Sequence, residues 1–162
     1  MTEERKKSGF VGVFNIRENL TLCSLKDLPH KYFIDKKAEK EQAQGIFNRL
    51  RVRAPSLETL IVNLSGGNQQ KVVLGKSLLA KPQILLIDEP TKGIDVGAKT
   101  EIYKLMNELV ESGVSIIMVS SDMPELVSMS DRCIVLSNSH ITGEFTGSDI
   151  TQDNVMRAAI AQ

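Results

Sequence analysis

Four aliphatic residues in a row, Ile84-Leu85-Leu86-Ile87, run into Asp88-Glu89-Pro90. An apolar run without alternation predicts a strand buried on both faces, the kind found in parallel sheets covered by helices. Carboxylates at the carboxyl end of such a strand stand where open α/β sheets bind ligands. Two readings are open at this point. In one, the acids end a solvated strand before a turn, as acidic residues before proline often do. In the other, one carboxylate holds Mg²⁺ through water and its neighbour polarises an attacking water, the division of labour that nucleotide hydrolysis uses.

The neighbouring segments favour the second reading. Upstream, Leu64-Ser65-Gly66-Gly67-Asn68-Gln69-Gln70-Lys71 leads directly into Val72-Val73-Leu74-Gly75-Lys76-Ser77-Leu78-Leu79-Ala80 and stops at Pro82. A Ser-Gly-Gly turn at a helix start exposes backbone N–H groups and lets an anion approach without interference from Cβ atoms. On its own it would read as a turn closed by a serine cap. The amides that follow, ahead of a nearly wholly apolar helix, strengthen the anion-site reading. Gly75-Lys76-Ser77 imitates the end of a phosphate-binding P-loop, but Gln70 stands where its first glycine is required and the segment reads as helix interior. No G-x-x-x-x-G-K-[ST] occurs anywhere in the 162 residues.

Downstream, Thr91-Lys92-Gly93-Ile94-Asp95 reads as a tight turn, with Asp95 capping a helix whose inner stripe is Ile102, Leu105, Met106, Leu109 and Val110, ended by Gly113. Val114 to Ser120 reads as a second buried strand, so strand, helix and strand make a parallel crossover. Asp122 and Glu125 frame a capping box for a short helix with Pro124 in its first turn. Arg132–Leu136 and Ile141–Phe145 flank Asn138-Ser139 as a hairpin, and a last helix from Asp149 carries Val155, Met156, Ala159 and Ile160. Near the amino end, Asn15 and Glu18 form a capping box, and Asp35 caps a helix carrying Ala43, Ile46, Phe47 and Leu50 that Ala54-Pro55-Ser56 ends. Arg49, Arg51 and Arg53 read as charge complementation at that helix's end.

With 41% hydrophobic residues the chain can build one sizeable core. Twenty basic and twenty acidic residues cancel, so no bulk field draws it to nucleic acid. No apolar stretch has the length of a membrane span or a signal peptide, which predicts the cytoplasm. Cys23 and Cys133 sit in apolar contexts and read as buried free thiols; His30 and His140 lie in loop-like surroundings without a catalytic role.

Taken in order and spacing, these motifs resemble the nucleotide-binding domains of ATP-binding cassette (ABC) transporters over essentially the whole chain. Leu64-Ser65-Gly66-Gly67-Asn68-Gln69-Gln70 resembles the signature motif, with Asn68 where the general pattern has Gln. Ile84 to Asp88 resembles the Walker B strand, Glu89 the general base after it, and Gly93-Ile94-Asp95 the D-loop. LSGGNQQK, DEPTKGIDVGAK and VSSDMPE together are similar to the C-terminal cassette of the duplicated ATPase subunits of bacterial ribose, xylose and galactose importers.

The resemblance implies an α/β chain with a partial P-loop NTPase fold: a mostly parallel sheet with flanking helices and an N-terminal helical subdomain, without the P-loop strand and helix. Residues 1–80 would hold a Q-loop remnant and the signature subdomain, 81–148 the Walker B, D-loop and switch part of the core, and 149–162 a helical tail. It implies Glu89 and Ser121 as catalytic residues, Ser121 standing where the family has its switch histidine. Leu64, Ser65, Gly66, Gly67, Asn68, Gln69, Asp95 and Glu3 would contact ATP, with Glu3 in place of the Q-loop amide, and Asp88 would hold Mg²⁺. The implied partners are a second ATP-binding cassette and transmembrane permease subunits, on the inner face of the cell membrane. On this reading the chain is a C-terminal fragment, natural or engineered, of a sugar-import ATPase, inactive alone for want of a Walker A loop. A different class of protein, a non-catalytic module lending its signature face to a partner or a decayed remnant, is the rival. The family's P-loop strand lies between the strand ending at Ser120 and that from Arg132. The chain is therefore expected to fill the gap, by self-association or by pairing the hairpin with the strand at Val114.

Overall fold

The computed structural model describes residues 8–27 and 33–160. Two compact units divide the chain, Met1–Val119 and Ser120–Gln162.

In the first unit, helix α1 (Ile16–Thr21) opens with the expected capping box: Asn15 Oδ1 accepts the Glu18 N–H at 2.9 Å and Glu18 Oε2 accepts the Asn15 N–H at 3.0 Å. Asp35 caps α2 (Lys36–Arg49) through the N–H groups of Lys37 and Ala38. This helix stops at Leu50, before the Ala54-Pro55 break, because Arg51 turns left-handed at φ 51°. Ile16 and Leu20 of α1 are fully buried, as are Ala43 and Leu50 of the α2 segment. Arg17 ties these helices to the following loop through Glu39 and, at 3.1 Å, Glu58. Helix α3 (Gly66–Leu79) is buried through Val72, Val73 and Leu74. A Cβ on Gly75 would lie within 2.8 Å of Ile46, Leu20 and Leu50, so this glycine is where three helices converge and belongs to no phosphate loop.

Strand β1 (Ile84–Asp88), helix α4 (Val96–Glu111) and strand β2 (Ser115–Val119) follow. The strands pair in parallel, with Leu85 opposite Ile116 and Ile87 opposite Met118. Double-sided burial does not hold. Leu85 and Ile87 are buried, but Ile84 and Leu86 are each 60% exposed, with Ile117 at 56% and Val119 at 59% beside them. Strand residues alternate faces, and only one face is covered within this unit. α4 presents Ile102, Leu105, Met106 and Leu109 to the core, while Val110 falls just off the stripe and is exposed. Gly113 ends the segment at φ 93°. Cys23 is exposed, because it falls in the turn after α1 and not on its inner face; only Cys133 is buried.

In the second unit, Asp122 caps α5 (Met123–Met129) through the Glu125 N–H, but Glu125 does not complete a box: its carboxylate takes the Ser120 hydroxyl, which in turn accepts the Asp122 N–H at 3.0 Å. Strands β3 (Arg132–Ser137) and β4 (His140–Thr146) form the hairpin, with Asn138 at φ 48° and Ser139 at φ 65°, the two left-handed positions that a tight hairpin turn requires. His140 therefore begins a strand. Among the described residues the hairpin forms a two-stranded sheet of its own, β3 pairing with β4. Helix α6 (Gln152–Ile160) packs Val155 and Ala158 against Cys133, Val135 and Ile150. Met156 and Ile160 are exposed instead, one position out of phase with the expected stripe, with Ala159 partly buried. Burial in this core also raises the Cys133 thiol pKa.

Candidate functional site

Where β1 ends, Asp88 is half-buried and Glu89 turns left-handed at φ 49°. A non-glycine residue held there costs about 1–3 kcal/mol and persists only where its surroundings impose it. Several contacts impose it, among them the Lys92 N–H on the Glu89 carbonyl at 3.3 Å. The Glu89 N–H donates to the Val119 carbonyl at 2.8 Å, and the next carbonyl, that of Pro90, accepts Gln70 Nε2 at 2.7 Å. Helix α3 and the strand end are thus fastened together through one buried amide. Among the described residues no group of three His, Cys, Asp or Glu side chains could hold a metal unaided. Asp88 fits a site in which one carboxylate acts alongside water and phosphate oxygens, the way Mg²⁺ is commonly held in phosphoryl-transfer enzymes.

The start of α3 leaves backbone donors without helical partners. Ser65 is the N-cap residue, with extended backbone, yet its side chain makes no capping bond to the helix. Helix geometry leaves the N–H groups of Gly66, Gly67 and Asn68 without intrahelical acceptors, and the first following one, that of Gln69, goes to the Ser65 carbonyl at 2.9 Å. Asn68 faces inward on both sides of its amide: Oδ1 accepts the Arg53 backbone N–H at 2.8 Å and Nδ2 donates to Ser65 Oγ at 3.0 Å. Gln69 is buried and donates to the Ile61 carbonyl at 3.2 Å. Lys71 is buried too, its ammonium shared between the Arg51 carbonyl at 3.0 Å and Glu101 at 2.7 Å.

Opposite this turn stands the start of α4, capped by Asp95 through the Ala98 N–H at 2.9 Å. The two helix starts touch at Gly67, where an added Cβ would lie 2.5 Å from Ala98 Cβ. Between them opens a cleft of about 170 Å³ lined by Arg53, Ser65, Gly67, Asn68, Asp95, Gly97, Ala98 and Glu101. Glu101 also accepts Arg53 at 2.7 Å. The Lys71 hydrogen bond, and then the Lys71 and Arg53 charges, hold the Glu101 carboxyl below its ordinary pKa against burial and Asp95.

Of the residues predicted from sequence, Ser65, Gly67, Asn68 and Asp95 meet in this cleft, and Leu64 and Gly66 flank it half-buried. Asp88 and Glu89 stand at the end of β1, joined to α3 by Gln70. Ser121 is an exposed residue of the second unit, just past β2. Glu3 lies outside the described residues. Sequence reasoning missed Glu101 and gave Arg53 to a helix end. The signal available for Glu101 was spacing, six residues past the Asp95 cap; nothing in the sequence set Arg53 apart from Arg49 and Arg51.

Comparison with known proteins points the same way. The family model described as ABC transporter matches residues 2–92. The chain is 47% identical over 161 residues to the ribose import ATP-binding protein RbsA of Clostridium perfringens (strain SM101 / Type A), covering 99% of this chain and 32% of that protein. It is 50% identical over 159 residues to the xylose import ATP-binding protein XylG of Geobacillus kaustophilus, covering 98% and 32%. The chain therefore spans about a third of the length of the curated relatives it matches. Among solved structures, MJ1267, an ATP-binding cassette of an ABC transporter, superposes with a TM-score of 0.80 at 20% identity, covering 99% of this chain and 68% of that one. MJ0796, a bacterial ABC transporter cassette solved as a dimer, superposes at 0.70 with 22% identity over 85% and 58%. At that identity the likeness establishes the fold alone, and the fold is that of an ATP-binding cassette.

Proposed function

Because the chain belongs to the ABC transporter family through its ATP-binding cassette, we propose that it forms the C-terminal part of the ATP-binding subunit of a bacterial monosaccharide importer, coupling ATP binding and hydrolysis to sugar uptake. The observation that carries this reading is the single cleft in which signature residues Ser65, Gly67 and Asn68 face D-loop residue Asp95. The import ATP-binding proteins for ribose and xylose that share about half of its residues support the sugar class.

In the assembled protein, Ser65 and the N–H groups of Gly66 and Gly67 bind the terminal phosphate of ATP held by a second cassette. They combine fixed dipoles with a hydroxyl donor where negative charge accumulates. Leu64, Asn68, Gln69 and Asp95 shape and support that contact, and Glu3 takes part from the Q-loop position. Asp88 would hold Mg²⁺, and that ion, when bound, would supply charge neutralisation at the phosphates. Glu89 orients and deprotonates the attacking water, its backbone fixed in advance by Val119 and by the Gln70–Pro90 contact. Ser121 contacts the terminal phosphate from the switch position. Residues 1–80 serve the signature and the permease contact, 81–148 the chemistry, and 149–162 form a helical tail, with the whole docked on permease subunits at the inner membrane face.

The 162 residues contain no phosphate-cradling P-loop. The test pairs the isolated chain with the ATPase assembly that carries it in proteoliposomes. The isolated chain is expected to show no ATP turnover, and the assembly to show sugar-stimulated turnover that Glu89→Gln abolishes. Turnover in the isolated chain that is lost in Glu89→Gln, or an assembly indifferent to that substitution, would overturn the reading.

A further inference from the structure

We propose that Asn68 is a positioning residue that fixes the proton of Ser65 toward the cleft. The inference rests on the nucleotide role proposed above for the signature turn, and adds how this sequence orients its one hydroxyl.

A serine hydroxyl has one proton to give and two lone pairs to receive. At a helix N-cap it ordinarily uses a lone pair on a backbone N–H of the first turn, and Ser65 makes no such bond. The Asn68 amide takes that place. Its orientation is dictated by its other neighbour: the Arg53 backbone N–H can only donate, so the oxygen of Asn68 must face it, at 2.8 Å. The Asn68 NH₂ is thereby turned to Ser65 Oγ, at 3.0 Å, and there it can only donate. Ser65 must accept on that side. Its own proton is left for an acceptor in the cleft, and the backbone donors of the helix start are left there with it.

Arg53 is held in place by the same framework. Its guanidinium is 2.7 Å from Glu101, which also takes buried Lys71 at 2.7 Å. The backbone leading to the donor that sets Asn68 is tied to α4 through Lys71, which donates to the Arg51 carbonyl at 3.0 Å. The chain of orientation runs from Glu101 through Lys71, the Arg51–Arg53 backbone and Asn68 to Ser65, and it ends in a donor on the cleft side.

Two substitutions separate this role from a structural one. Asn68→Asp keeps an oxygen for the Arg53 N–H but offers Ser65 a carboxylate, which captures the serine proton. Asn68→Ala removes both contacts and leaves the hydroxyl free to rotate. In the ATPase assembly, Asn68→Asp is expected to lower turnover about 10²-fold, as Ser65→Ala does, and Asn68→Ala only about tenfold, in line with the loss of one oriented donor. Thermal stability should rank the other way, with Asn68→Ala the lower of the two. In a Ser65→Ala background neither substitution at Asn68 should lower turnover further, which separates capture of the proton from simple repulsion between the introduced carboxylate and phosphate. Turnover in Asn68→Asp above that in Asn68→Ala, or an undiminished loss in the Ser65→Ala background, would overturn the proposal while leaving the function of the turn intact. Full turnover in Ser65→Ala alone would remove the proposed role of the turn itself, and this proposal with it.

Discussion

Gln70 Nε2 donates to the carbonyl of Pro90 at 2.7 Å, and both residues are buried. One amide thus connects the helix that begins at the signature turn to the turn that carries Glu89. Removing it strands a buried carbonyl, which costs about 1–3 kcal/mol. Gln70→Leu, close in volume and without a donor, should lose that much stability in urea denaturation. In the ATPase assembly it should also lower turnover without a change at Glu89 itself, since the left-handed backbone of Glu89 loses one of its restraints. A loss under about 0.5 kcal/mol, the range of ordinary surface changes, would mean the bond is incidental.

The two glycines of the turn are expected to behave differently. Gly67 has a reason inside this chain: a Cβ there would lie 2.5 Å from Ala98 Cβ, closer than two carbons can approach. Gly67→Ala gains up to about 1 kcal/mol in helix propensity but forces the α3 and α4 starts apart, a strain of about 1–3 kcal/mol. The net effect should be destabilising, and Ala98→Gly in the same chain should restore it. Gly66→Asp should instead change stability by less than about 0.5 kcal/mol, while abolishing the turnover that depends on this turn. Thermal melts of the single and double variants decide the matter; a Gly67→Ala that is neutral, or one that Ala98→Gly fails to rescue, would refute the packing account.

Glu101 links the cleft to pH. Its carboxyl is held below the ordinary value of 4.5 first by the Lys71 hydrogen bond and then by the Lys71 and Arg53 charges. A carboxyl depressed in the folded state contributes stability that is complete above 4.5 and is lost as pH falls through the lower, folded value. Glu58 is depressed in the same direction by Arg17, so Glu101 is not the sole contributor to the acid limb. Glu101→Gln should lower the urea midpoint at neutral pH and flatten, without abolishing, its fall below pH 4.5. An unchanged acid limb would show that Lys71 is satisfied by the Arg51 carbonyl alone.

What was legible in the sequence was local. Asn15, Asp35, Asp95 and Asp122 cap the helices they were expected to cap, because a cap is a contract between residues three or fewer positions apart. The family was readable for a related reason: the segments that resemble its signature, Walker B and D-loop hold particular residues at fixed spacing. What depended on distant neighbours was not legible. The run Ile84–Ile87 does not say which of its faces is covered, and it is covered on one. Arg53 is 48 residues from Glu101 in sequence, so nothing in the run of arginines distinguished it from its neighbours at a helix end. The stripe of α6 was misphased because Val155, Met156, Ala159 and Ile160 fit one helical face as well as Val155 and Ala158 fit another. Only the hairpin beneath, with Gly143 making room for Ala158, decides between them.

The uncovered face of β1 and β2 carries the last prediction. Ile84, Leu86, Ile117 and Val119 alternate with the buried residues of their strands and lie side by side, since Leu86 pairs with Ile117 and Asp88 with Val119. Four aliphatic side chains more than half exposed on adjacent strands form one continuous apolar surface, of the kind that isolated soluble chains cover by association. The 162-residue chain should therefore self-associate in light scattering, with a mass that rises with concentration. Leu86→Lys together with Ile117→Lys should shift it to a monomer with the helical content unchanged, because both side chains already face solvent. A strict monomer at high concentration, with the wild-type face intact, would show that the surface is tolerated bare.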